Sequence, residues 1–328
     1  MRATVLGAGS WGTALGSLLA GKDWDVRMWD IDVATLEDIT AKHENTRYLP
    51  GLLLPPTQTG VPLLDQAMDG ADLVVMAVPS FAVRGVTEQI RDLLPEGSPL
   101  VSVTKGVEVD TLLTMHEVLQ HVLDERHHRY LACLSGPSFA VEVARGVPTA
   151  VTVAATTEEN AAAVQGAFYT ATFRPYTSTD VMGVEIGGCT KNVLAIATGY
   201  AAGVGLATNS AAALMTRGLA ETIALGIRRG ARPETLQGLS GVGDLVLTCT
   251  SVKSRNYRVG FGLGQGRTLA DIKAELGQVA EGVQNAKSVH RMAALYNVEM
   301  PISETVYRLI YDGLPHKRVL AALLGPSD

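Results

Sequence analysis

The chain of 328 residues has only three cysteines, 5% aromatic residues and no dense run of lysine and arginine. Cys133, Cys189 and Cys249 are odd in number and widely separated, with neither metal-ligand nor redox spacing between them. They read as free thiols of a reducing compartment, which excludes a disulfide scaffold. A formal charge of -6 without a basic run argues against a nucleic-acid partner. Any bound anion must therefore be held by a few placed cations. No apolar stretch approaches the ~18 residues that a membrane helix needs. At the N-terminus, Arg2 to Leu6 leads straight into a glycine turn, as a strand would and a secretory signal would not. Internal repeats and low-complexity tracts are also missing. The expectation is a cytoplasmic protein with no membrane insertion.

Hydrophobic residues make up 47% of the chain and charged ones 18%, enough for two ordinary cores. Short apolar runs at Thr4–Leu6, Val26–Trp29, Ala71–Val78, Leu100–Val103, Leu131–Leu134 and Ala150–Val153 alternate with helical or polar stretches. Strands alternating with helices imply crossover connections and a parallel sheet. Lys42 to Pro62, rich in Pro, Gly and Thr, reads as a long irregular loop. From about Asp180 the texture changes: Val181–Val204, Asn209–Arg229, Val283–Tyr296 and Ile302–Tyr311 carry apolar residues at helical spacing. The expected architecture is α/β, a Rossmann-type parallel-sheet domain over residues 1–185 followed by an all-α C-terminal domain over 186–328.

Gly7-Ala8-Gly9-Ser10-Trp11-Gly12 places glycines at relative positions one, three and six, after a strand and at the start of a helix. That is the fingerprint of dinucleotide binding. The first glycine makes the tight turn, the second lets backbone approach a pyrophosphate, and the third permits close helix–strand packing with the phosphates at the helix N-terminus. The bland alternative is a structural βα turn. Asp30 closes the second strand about 20 residues on, where an acid takes the ribose 2′-hydroxyl and repels a 2′-phosphate. It favours NAD(H) over NADP(H), although Arg27 is near in sequence and Asp30 could be a helix cap.

Four later clusters gather polar groups among small residues: Thr104-Lys105-Gly106, Ser135 to Ala140, Gly188 to Asn192, and Gly241 to Asn256. Lys105 and Gly136 follow strands, where an open α/β sheet presents groups to its ligand crevice. GAGSWGTAL, TKG, SGPSFA, GGCTKNVLAIATG, GVGDLVLTCTSVKSRNYRVG and GQVAEGVQNAK occur in that order along essentially the whole chain. Together they resemble the NAD(P)-dependent glycerol-3-phosphate dehydrogenases of bacterial type. The match departs at Cys189-Thr190, where the family usually has a small residue followed by an aliphatic one.

The resemblance implies reversible reduction of dihydroxyacetone phosphate to sn-glycerol 3-phosphate, with NAD(H) or NADP(H) as coenzyme and a role in supplying the glycerophospholipid backbone. It maps the general acid/base onto Lys191. Substrate contacts fall on Lys105, Gly136, Ser138, Lys191, Asn192, Asp244, Ser254, Arg255 and Asn256. Dinucleotide contacts fall on Gly7, Gly9, Ser10, Trp11, Gly12, Asp30, Lys105, Ala140, Arg255, Val279 and Glu281. The chemistry suits these types: ketone reduction needs a proton donor at the developing alkoxide, and an arginine fork suits a phosphate.

Each residue also has an ordinary reading. Lys191 could be solvated, Arg255 a surface ion-pair partner, Asp244 an N-cap and Glu281 an exposed helix-start acid. His116, His121, His127 and His128 do not make a convincing ligand set on one helical face, so no metal is expected. The partner is a small phosphorylated three-carbon molecule, and the apolar helical half would tolerate a homodimer. The rival enzymatic reading is another two-domain dehydrogenase acting on a 3-hydroxy acid or ketopantoate. A binding protein that kept the fingerprint would have shed Lys191 and Arg255.

Overall fold

The structure, a computed structural model, describes residues 1–325. The chain divides into two compact units: Met1–Thr104 with Met115–Val181, and Lys105–Thr114 with the chain from Met182 onward. The sequence reading placed one break at 185/186 and did not foresee that residues 105–114 leave the first unit. Val107 and Leu112 explain the excursion, since both are buried in the apolar core of the helical unit.

The first unit is built on eight strands: β1 Arg2–Leu6, β2 Asp25–Trp29, β3 Gln58–Gly60, β4 Leu73–Met76, β5 Leu100–Ser102, β6 Leu131–Ser135, β7 Thr149–Ala155 and β8 Phe173–Ser178. Their order is β3-β2-β1-β4-β5-β6-β7-β8. Every residue of β4, β5 and β6 is buried, as expected of central strands covered on both faces. Two crossover helices bear on the site, α1 Ser10–Ala20 and α2 Val33–Lys42.

The sheet is parallel except that β7 runs antiparallel to β6. Their connection carries only a five-residue helix, Ala140–Ala144. At 1.5 Å per residue it is about 8 Å long and cannot carry the chain back across the sheet. Two strands were not foreseen. β3 lies inside the stretch expected to be irregular, and its Gln-Thr-Gly has no apolar alternation to find. Gln58 instead earns its place through its side chain, which accepts from Ser17 Oγ (2.8 Å) and donates to Thr13 O (3.1 Å). β8 contains Pro175, which an edge strand tolerates because one side of its ladder is unpaired.

The second unit is helical. It contains α3 Val181–Gly203, α4 Thr208–Arg228, α5 Asp244–Cys249, α6 Arg255–Gly264, α7 Glu281–Tyr296, α8 Pro301–Tyr311 and α9 His316–Leu324. α3 is buried on all sides from Gly183 to Ala201, so it is the axis of this core and carries no amphipathic stripe. It meets α6 backbone to backbone. A Cβ on Gly199 would sit 2.1 Å from the Tyr257 carbonyl oxygen, and one on Gly260 would sit 2.0 Å from that of Ile196. Only glycine allows that approach, and it fixes the start of α6 beside the middle of α3. α8 is capped from inside: Glu221 accepts from the amides of Ile302 (2.7 Å) and Ser303 (3.1 Å). Among the described residues, no helix is long and apolar enough to cross a membrane.

Candidate active site

In the first unit, the glycine turn between β1 and α1 has the geometry its motif predicts. Gly7 adopts φ 108°, and a Cβ there would lie 2.8 Å from the backbone of Ala77 at the end of β4. A Cβ on Gly12 would meet the Gly7 carbonyl oxygen at 2.0 Å. Gly9 differs, with nothing within 4 Å of its Cβ position, and it starts α1 with no side chain capping the helix. Bare helical amides facing open space suit an anionic phosphate. The Trp11 Nε1 donor, buried and without a hydrogen-bond partner, adds an unmet polar group. The residues present therefore fit a dinucleotide.

Asp30 is joined to the turn itself. Its carboxylate accepts from Ala8 N at 2.6 Å and from Asp32 N at 2.9 Å. The cap of α2 is Asp32, which accepts from Thr35 N. Arg27 turns elsewhere, donating to the Gln66 and Asp69 carbonyls.

Sequence reasoning missed Asn45, which is fully buried in the supposedly irregular loop. Its amide donates to Ala8 O and Thr13 Oγ1, both at 2.8 Å, while its carbonyl oxygen accepts from Tyr48 N at 3.0 Å. Ser10 Oγ completes the strap by donating to Tyr48 O at 2.6 Å. The stretch was read only as an irregular loop, although a polar side chain in it able to satisfy backbone groups could be buried.

On β6's far end, Gly136 adopts φ 149°, and a Cβ there would lie 2.8 Å from Val151 Cα. Ser138 Oγ donates to Gly136 O at 3.1 Å. Ala140 opens the short helix, which packs against α1. These three residues thus share one loop of the first unit.

The second unit brings together charges distant in sequence. Lys191, buried on α3, donates to Asp244 Oδ1 at 2.6 Å and to Thr248 Oγ1 at 2.8 Å. Lys105 donates to the other carboxylate oxygen, Oδ2, at 2.6 Å. One carboxylate thus bridges two ammonium groups.

Asp244 begins α5 after a π-helical turn, Leu239–Gly243, a rare backbone form often found at functional positions. Its side chain goes to the lysines and not to helix amides, so the N-cap reading fails. Thr248, four residues later, shares the same helix face; that spacing was the signal that could have placed it.

Desolvation lowers the Lys191 pKa to about 8, assisted by the charge of Lys105 and opposed by that of Asp244. For Asp244, burial pushes the pKa up, but the two ammoniums together hold it below its ordinary value. The pair is ionised near neutrality, with a lysine able to give up its proton without extreme pH.

Asn192 and Asn256 also meet. Asn256 Nδ2 donates to Asn192 Oδ1 at 2.8 Å, and Asn256 Oδ1 accepts from Gly282 N at 2.9 Å. This ties α3, α6 and the start of α7 together. Ser254 is the cap of α6, its Oγ accepting from Tyr257 N at 3.2 Å. Arg255 is exposed as the first residue of α6, and one of its Nη atoms donates to Gln278 at 3.2 Å. The charge of Glu281 also acts on its guanidinium. Val279 is exposed and Glu281 half-buried at the start of α7. His116 and His127 are buried, and no group of three His, Cys, Asp or Glu among the described residues is placed to hold a metal.

Comparison with known proteins shows the family. Residues 2–161 match the model for the N-terminus of NAD-dependent glycerol-3-phosphate dehydrogenase, and residues 180–321 match the model for its C-terminus. A glycerol-3-phosphate dehydrogenase [NAD(P)+] of Anaeromyxobacter dehalogenans is 58% identical, over 99% of this chain and 98% of its own. The crystal structure of glycerol-3-phosphate dehydrogenase from Coxiella burnetii superposes with a TM-score of 0.95 at 37% identity, covering 99% of both chains. A ketopantoate reductase of Ralstonia eutropha, with a TM-score of 0.61 at 15% identity over 98% of this chain and all of its own, shares the fold alone.

Proposed function

Because this chain belongs to the NAD-dependent glycerol-3-phosphate dehydrogenase family, we propose that it reduces dihydroxyacetone phosphate to sn-glycerol 3-phosphate, reversibly, with Lys191 as the proton donor. The chain is an NAD(P)-dependent oxidoreductase of that family. The observation that carries the assignment of Lys191 is the carboxylate of Asp244 shared between Lys191 and Lys105.

When bound, the nicotinamide coenzyme supplies or accepts the hydride. The residues of this chain manage the proton and the charges. Lys191, with its pKa near 8, is mostly an ammonium at neutral pH and can protonate the carbonyl oxygen as it becomes an alkoxide. In the oxidising direction the neutral amine takes the hydroxyl proton. Asp244 and Thr248 hold the amine in place, and the charge of Lys105 keeps it from becoming too weak an acid. Asn192, Asn256 and Ser254 order the surrounding wall, and Arg255 grips the phosphate. Lys105 serves both substrate and coenzyme.

Gly7, Gly9, Ser10, Trp11, Gly12 and Ala140 of the first unit hold the dinucleotide. The Asp30 carboxylate favours NAD(H), since a carboxylate keeps lone pairs for ribose hydroxyls beyond the two amides it already accepts. An ammonium acid makes a metal ion unnecessary. We place the enzyme in the cytoplasm, making the glycerol phosphate backbone of lipids.

The test is NADH oxidation with dihydroxyacetone phosphate by the wild type and by Lys191→Ala. Loss of the general acid should lower kcat about 100-fold or more, with dinucleotide binding retained. Near-normal turnover by the variant would remove Lys191 from the mechanism. Faster turnover of ketopantoate by the wild type would end the substrate assignment.

A further inference from the structure

The loop between α2 and β3 brings a cation to the acid-bearing end of β2. Arg47 Nη1 donates to Asp32 Oδ2 at 2.7 Å, and its guanidinium lies 5.1 Å from the centre of the Tyr48 ring. Its position is held by the strap: Asn45 is bonded to Ala8, Thr13 and Tyr48, and Ser10 is bonded to Tyr48. The arginine is thus tied to the same backbone that forms the dinucleotide turn. Its side chain is 60% exposed, against 22% for Asp32.

Asp32 is also held by Thr35, whose hydroxyl donates to Oδ2 at 2.8 Å. The hydrogen bond from Thr35, followed by that from Arg47, keeps its carboxyl below the usual range and so ionised. Between Asp30 and Asp32 stands Ile31, 88% exposed and contributing no charge. Arg27, the other cation near Asp30 in sequence, is committed to the Gln66 and Asp69 carbonyls.

We propose that Asp32 and Arg47 form a coenzyme-selectivity pair, in which Asp32 engages the guanidinium that would otherwise bind the 2′-phosphate of NADP(H). The inference rests on the dinucleotide reading of the glycine turn and deepens it. A 2′-phosphate beside Asp30 faces a fixed negative charge. Its compensation must come from an arginine fork, which matches phosphate geometry. Arg47 has that fork at the right edge of β2, and Asp32 occupies it. The chain therefore selects NAD(H) while carrying the cation of an NADP(H) site in a neutralised form.

The experiment is a fluorescence titration of the purified full chain with NADH and NADPH, without dihydroxyacetone phosphate, read as the ratio Kd(NADPH)/Kd(NADH). Asp32→Asn removes the charge and keeps a residue type that caps helices. It should lower the ratio about tenfold, the size expected when one charge-assisted bond is released to a ligand. Adding Arg47→Ala to Asp32→Asn should return the ratio to within about threefold of the wild type, since the phosphate then has lost its cation.

A ratio unmoved by Asp32→Asn overturns the proposal, as does a ratio that stays low in the double variant. Because both ligands are titrated into one preparation, partial misfolding cancels from the ratio. The readout needs no turnover, so failure to reduce dihydroxyacetone phosphate would count against the proposed activity and leave the selectivity result standing.

Discussion

The glycine turn of the first unit and the lysine–aspartate cluster of the second are both polar sites, but they are made in opposite ways. The turn is six consecutive residues, Gly7 to Gly12, whose glycine spacing is written in one stretch of chain, although the close approach that requires Gly7 comes from Ala77. The cluster takes Lys105, Lys191 and Asp244 from three segments, with the Lys105–Asp244 bond spanning 139 positions. Chemistry written locally can be read from composition and spacing. Chemistry assembled at a distance is visible only as isolated polar residues until the fold joins them.

That contrast can be broken most forcefully at its remote end. Asp244→Asn removes the charge shared by the buried ammonium of Lys191 and the partly buried one of Lys105, leaving them to repel one another, and should lower kcat by about 100-fold or more. Since Asp244 raises the Lys191 pKa, the variant's rate of ketone reduction should begin to fall at lower pH than in the wild type, where the fall should be centred near pH 8. Oxidation should show the opposite trend, rising as the amine loses its proton. Superimposable pH–rate profiles for the two enzymes would show that the Asp244 charge does not tune Lys191.

An intermediate effect is expected at Arg255. Replacing it with alanine should raise KM for dihydroxyacetone phosphate about 10- to 100-fold, the worth of one charge-assisted interaction. KM for unphosphorylated dihydroxyacetone should change far less. Equal losses on both substrates would show that Arg255 does not hold the phosphate.

The smallest effect sharpens the comparison from the other side. Asn45 is a buried side chain, distant in sequence, on which the local turn depends. Asn45→Ala should destabilise the protein by about 1–3 kcal/mol, because Ala8 O and Thr13 lose a buried donor. A denaturant melt would measure that loss, with a rise of a few-fold in the Kd for NADH. An unchanged midpoint together with an unchanged Kd would make the strap incidental to the turn.

Much of the fold was legible for the same reason as the turn. Central strands such as Leu73–Met76 and Leu131–Ser135 are buried apolar runs, and the helix-spaced apolar residues of Val181–Val204 marked a helix, though not one buried on all sides. Edges were not. Gln58–Gly60 and Phe173–Ser178 pair on one side only, so neither needs an apolar pattern, and their partners supply the order. The antiparallel return of β7 was also hidden, because strand direction depends on the path of the connection and not on the strand's own residues. Several short helices between Pro233 and Leu276 escaped notice, among them the π-helical turn before Asp244. Their lengths hold too few turns for a periodic pattern.

Within the site, Ser254 and Asp244 were both expected to touch substrate, with an N-cap as the ordinary alternative for Asp244. Folding separated them: Ser254 caps α6, while Asp244 is drawn to Lys105 and Lys191. Unaided, the order of residues specified a dinucleotide turn, an acid two strands' length away, a parallel α/β half and a helical half. Steric limits and burial act on neighbours, so those features were local. Tertiary structure alone decided that residues 105–114 join the helical unit, that one carboxylate serves two lysines, and that a buried ammonium has a pKa near 8. Electrostatics and desolvation depend on distance in space, and distance along the chain carries no record of it.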